Sequence, residues 1–102
     1  MRINFERTGG FMGMRLAVEV QTERLTSTEA EELETLVESA RFFDLPAILK
    51  PQTGSADRFQ YKLTVERGDQ FHTVETSESA APENLQPLIE RLTYVARSQR
   101  FT

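Results

Sequence analysis

Two alternating hairpins, each followed by a helical stripe, predict an α+β fold. The expected form is a four-stranded antiparallel sheet in the order ββαββα, with two helices packed on one face. Three observations carry this. Apolar residues recur at every second position in the strand-like segments, and at i, i+3, i+4 and i+7 in two others. Glycines or turn residues separate the members of each strand pair. With 102 residues, the chain reads as one domain over 1–102, large enough to bury a core without staples.

The opening MRINFER places Met1, Ile3 and Phe5 on one face and Arg2, Asn4 and Glu6 on the other. After TGGFMG, the segment MRLAVEV repeats the alternation with Met14, Leu16, Val18 and Val20. Two such runs joined at glycines make a hairpin with one buried face. The connection exceeds a two-residue loop, so its tip should protrude.

The next segment, LTSTEAEELETLVESARFFDLP, opens on two possible capping boxes, Thr26 with Glu29 and Thr28 with Glu31. Leu33, Leu36, Val37 and Ala40 form one stripe, acids crowd the start, Arg41 sits near the end, and Pro46 is expected to stop the helix. Residues 46–57, with two prolines and a glycine, read as an irregular loop. Phe59, Tyr61, Leu63 and Val65 share a face of the third strand, residues 67–70 make a turn, and residues 71–76 return. Leu85, Leu88, Ile89, Leu92, Val95 and Ala96 line the last helix, which should begin near Asn84 or Leu85 with Pro87 in its first turn.

Composition narrows the function classes. There is no cysteine, hence no disulfide, thiolate nucleophile or cysteine-based metal site. A net charge of -4 argues against nucleic-acid binding, which needs a cationic surface. No apolar run approaches the ~20 residues that span a bilayer. Met1 leads into an alternating segment rather than a charged and then apolar leader, which predicts a cytoplasmic protein.

Catalytic chemistry finds little to work with. His72 is the single histidine, which removes paired-histidine zinc sites and leaves a Ser-His-Asp triad without support. It reads as a structural or exposed strand residue. Glu29, Glu31, Glu32, Glu34 and Glu38 read as a solvated helix face. GGFMG does not have phosphate-loop spacing, no lysine follows it, and it joins two strands. The tripeptide Arg67, Gly68, Asp69 reads as a hairpin turn that spells an integrin-type motif. Of Phe42 and Phe43, one should close the core and the other pack under the loop at Pro46.

The glycine loop keeps two readings. Phe11 or Met12 folds back on the sheet edge, or the pair forms an apolar tip that waits for a partner, as interface aromatics and methionines do. The second strand carries the chain away from this loop by about 20 Å. A helix of ~14 residues would return it by a similar distance. That places FFDLP and the following loop beside GGFMG, so that residues 8–13 and 46–57 share a rim.

Three separated segments, MRINFERTGGFMGMRL, ESARFFDLP and DRFQYKLTVERG with HTVE after it, give the chain its family likeness. Followed by an amphipathic helix, they resemble the emfourins, small bacterial protein inhibitors of thermolysin-like zinc metallopeptidases, often encoded beside a protealysin-type protease. The resemblance covers nearly the whole chain and contains no catalytic signature. It carries over Gly9-Gly10-Phe11, Phe42-Phe43-Asp44-Leu45-Pro46 and Phe59-x-Tyr61, and it implies a cytoplasmic inhibitor, not an enzyme, that restrains a cognate peptidase. On this reading Gly9, Gly10, Phe11, Met12 and Gly13 enter the cleft over the peptidase zinc, with Phe11 or Met12 in its apolar specificity pocket. The inhibitor itself needs no metal or cofactor and is a monomer when free. The alternative is a non-inhibitory interaction or scaffold domain that uses the open sheet face, where Arg2, Asn4, Arg15, Glu19, Gln60 and Lys62 should lie.

Overall fold

The computed structural model describes residues 1–10, 15–50 and 58–99. The alternating segments form strands β1 (Arg2–Gly9), β2 (Leu16–Gln21), β3 (Phe59–Arg67) and β4 (Gln70–Ser77). The helical stripes form α1 (Ser27–Ser39) and α2 (Gln86–Gln99). Chain order is ββαββα, and the sheet order is β2-β1-β3-β4 with every neighbouring pair antiparallel.

Register follows from period two. Phe5 lies opposite Val18 and Leu63, and Ile3 opposite Val20 and Val65. All six are buried, together with Leu16 and Val74. The helices and the residues flanking them add Leu33, Val37, Ala40, Leu85, Leu88, Ile89, Leu92 and Ala96 to the same cluster. Each large apolar side chain buried this way contributes ~1.5–3 kcal/mol, which is why the alternation dictates the face.

Thr26 caps α1. Its hydroxyl accepts from Glu29 N–H at 3.2 Å, and Glu29 Oε1 accepts from Thr26 N–H at 3.2 Å, so the first of the two possible capping boxes is the one used. The helix stops earlier than Pro46. Arg41 adopts left-handed backbone (φ 52°) and its N–H donates to Glu38 O at 3.0 Å, closing the last turn. In α2, Pro87 sits in the first turn as its missing N–H requires.

The path of α1 corrects one expectation. It starts just beyond Gln21, which pairs with Arg2 at one end of the sheet. It finishes beside Arg67, whose Nη1 lies 3.2 Å from Glu38 Oε1. Arg67 belongs to that same end, because Arg2 also pairs with Glu66. The helix therefore crosses the sheet from β2 to the β3–β4 turn instead of running back along β2. A helix of this length, about 20 Å, is long enough for a strand's return and also for a crossing of four strands, whose three ~4.8 Å spacings span about 14 Å, so length alone does not fix its direction. α2 then runs antiparallel to α1, with Asn84 Nδ2 donating to Ser39 O at 3.1 Å and Arg91 pairing with Glu32 at 2.7 Å.

FFDLP consequently lies at the far end of the sheet from Gly9. Phe42 is buried, edge-on to His72 at 5.7 Å. His72 Nε2 sits 2.6 Å from Leu45 O, and a carbonyl can only accept, so that nitrogen donates. Phe43 packs edge-on to Phe42, with the Arg67 guanidinium 5.3 Å from its ring centre.

From there the described part of the loop, residues 46–50, makes one isolated parallel bridge to β4, between Ile48 and Glu75. Leu49 N–H donates to Glu75 O and Glu75 N–H to Ala47 O, both at 2.8 Å. This pairing covers part of the outer edge of β4 and points the chain toward Ser77. The chain re-enters at Arg58, whose carbonyl accepts from Gly10 N–H at 2.7 Å. The flanks of the two segments thus converge on one end of the sheet, by a route along β4 rather than through α1.

Candidate functional site

Of the five loop residues singled out from sequence, Gly9 and Gly10 are described; Phe11, Met12 and Gly13 lie outside the described residues, as do Met14 and residues 51–57. The described root of the loop is tightly built. Gly9 ends β1 opposite Phe59, with φ +96°, and Gly10 follows at φ +82°. A Cβ on Gly9 would fall 2.2 Å from Arg58 O, and one on Gly10 2.6 Å from the Phe59 ring. At Gly9 both the dihedral and the Arg58 backbone demand glycine; at Gly10 the positive φ favours glycine and any Cβ would have to displace the Phe59 ring.

Phe59 is the plate on which this root rests. The Arg7 guanidinium lies 4.3 Å from its ring centre and that of Arg58 5.8 Å. Glu78 Oε1 accepts from Arg58 N–H at 2.9 Å and Phe59 N–H at 3.2 Å, which fixes the start of β3. Next along the helix side, Tyr61 stacks on Phe5 with centroids 6.0 Å apart. Burial raises the Tyr61 phenol above its ordinary range; the Glu78 charge adds to the rise and the Arg7 charge opposes it. On the other face of the same end, Arg15 Nη2 donates to Glu6 Oε2 at 2.8 Å, and this bond holds the Glu6 carboxyl below its usual range.

Arg7, Arg58 and Glu78 were not picked out from sequence. One signal was available for Arg7: it takes the next place in the series Met1, Ile3, Phe5, where an apolar residue would be expected. A cation there needs a partner, and the Phe59 ring supplies it.

The open face carries the residues placed there by alternation. Arg2, Asn4, Arg15, Glu19, Gln60 and Lys62 are all exposed. Arg2 bridges two strands, 3.3 Å from Glu19 and 3.1 Å from Glu66. A shallow depression of about 370 Å³ is lined by Asn4, Glu6, Arg15, Ala17, Lys62 and Thr64 among others. Phe71, 65% exposed, stands on this face at the start of β4.

His72 is held by Leu45 at the end of the sheet opposite Gly9. Among the described residues, no group of three or more His, Cys, Asp or Glu is placed to hold a metal ion, and no described helix is long and apolar enough to cross a membrane. The family model described as Emfourin matches residues 5–93 of the chain. A comparison with curated proteins returns no match.

Proposed function

The chain belongs to the Emfourin family, and on that premise we propose that it inhibits a thermolysin-like zinc metallopeptidase by occluding the active-site cleft with residues 9–13. In this reading Gly9, Gly10, Phe11, Met12 and Gly13 are the binding residues. Phe11 or Met12 fills the peptidase's apolar specificity pocket, and an anchor of that kind contributes ~2 kcal/mol or more on truncation. The inhibitor is a cytoplasmic monomer when free, needs no cofactor, and turns over no substrate.

The observation that supports this most is the seating of the loop root. Gly9 and Gly10 hold left-handed backbone against Arg58 and Phe59, and the residues that follow in sequence are Phe11 and Met12. A rigid base reduces the entropy lost when the apolar residues beyond it are captured. Titrating the purified chain against a thermolysin-like enzyme tests the reading. Stoichiometric loss of peptidase activity is expected; full activity at several-fold molar excess of the chain contradicts it.

The rival, an interaction domain using the open face, has the exposure of Phe71 in its favour. Against it, Arg2 and Arg15 are already paired with carboxylates of their own sheet. Substituting Arg2, Asn4, Lys62 or Phe71 abolishes partner binding under the rival and leaves inhibition intact under occlusion.

A further inference from the structure

The Gly9 end differs in charge from the rest of this acidic chain. Glu29, Glu31, Glu32, Glu34 and Glu38 are exposed along α1, which crosses the opposite end of the sheet. At the Gly9 end, Arg7 and Arg58 have no ion pair among the described residues and are held instead at the Phe59 ring. The nearby carboxylates are engaged: Glu78 accepts two backbone N–H groups and Glu6 holds Arg15.

A guanidinium resting on an aromatic ring is pre-oriented, and its N–H donors stay available in a fork that matches a carboxylate bidentately. We propose that Arg7 and Arg58, mounted on Phe59, form a clamp for an aspartate or glutamate side chain on the peptidase surface beside the cleft that residues 9–13 enter. This rests on the inhibitory reading and adds a second, polar contact to it. Gly10 packs on the same ring, so the clamp and the loop root are one rigid unit. Two arginines on a chain of net charge -4 do not make a polyanion site, which excludes nucleic acid as the occupant. The clamp acts first on encounter, because attraction between opposite charges raises association rates and is screened by salt over about 8–10 Å.

The test uses the full chain with R58E, R58A and R58K, and with R24E as a matched charge reversal at the other end of the sheet. Arg58 and Arg24 are both exposed, so melting temperatures should stay near wild type. Association rates with a thermolysin-like peptidase come from the onset of inhibition at low salt and at about 0.5 M salt. R58E should slow association about tenfold at low salt and much less at high salt. R58K should fall between wild type and R58A, and R24E should stay within about twofold of wild type. Equal slowing by R58E and R24E, or no slowing by R58E, overturns the clamp while leaving inhibition by the loop intact. Should the wild-type chain inhibit nothing, the functional reading fails separately. The clamp is then decided by NMR titration of the free chain with a short polyglutamate peptide. The Arg58 and Arg7 Nε–H signals must move more than that of Arg24, and equal movement rejects the clamp.

Discussion

Glycines with positive φ stand at both ends of the sheet, and they do different work. At the β3–β4 turn, Gly68 has φ +59° and a Cβ added there meets nothing within 4 Å. Its role is conformational, to let a tight turn reverse the chain. At the other end, Gly9 and Gly10 combine positive φ with direct crowding by Arg58 and Phe59. There glycine also lets one segment lie against another. The short turn joins two strands and finishes; the crowded pair is followed in sequence by Phe11 and Met12. Sequence marks both as glycine, and only the packing separates them.

Substitution turns this difference into a ranked series. G9A should be worst, destabilising by about 3 kcal/mol, because left-handed strain is added to loss of the Gly10–Arg58 hydrogen bond. G10A should follow at about 2 kcal/mol, since the obstacle is a side chain that can rotate, though only by leaving Arg7 and Gly10. G68A should lose about 1 kcal/mol from dihedral strain alone, and G68N still less. Thermal or denaturant unfolding measures all four. Equal losses from G9A and G68A would break the distinction between the two ends.

A smaller effect sharpens the electrostatic side. In a Y94F background Tyr61 is the only tyrosine, and its near-UV titration should have a midpoint above the ordinary phenol value of about 10. Removing Arg7 should raise it further, because that positive charge favours the phenolate. The fold holds the proton more tightly than the unfolded chain does. The associated stability is therefore complete below pH ~10 and is lost as pH rises through the folded value. A midpoint at or below 10 contradicts the burial of Tyr61, and one indifferent to R7A contradicts the placement of Arg7 beside it.

Much of the fold was legible because burial enforces period two. Ile3, Phe5, Val18 and Leu63 could face only one way without exposing the whole set. The order ββαββα and both helices followed from the same patterns. The direction of α1 was not legible, because Leu33, Val37 and Ala40 specify which side of the helix is buried but not its angle to the strands. Its end is hidden for a related reason: Arg41 in left-handed backbone leaves no mark in sequence, whereas Pro46 does. At the candidate site the glycines were visible as a cluster. The Arg7–Phe59–Arg58 group was not, since it depends on the β1–β3 register, which brings Gly9 opposite Phe59.

The decisive comparison is the inhibition constant of the F11A/M12A variant against that of F71A, each checked for an unchanged melting temperature. Seating of an apolar anchor in the peptidase predicts a loss of about 30-fold or more for F11A/M12A and near wild-type inhibition for F71A. Inhibition by F11A/M12A within a few-fold of wild type, or a large loss for F71A, would place the contact surface elsewhere and contradict the account.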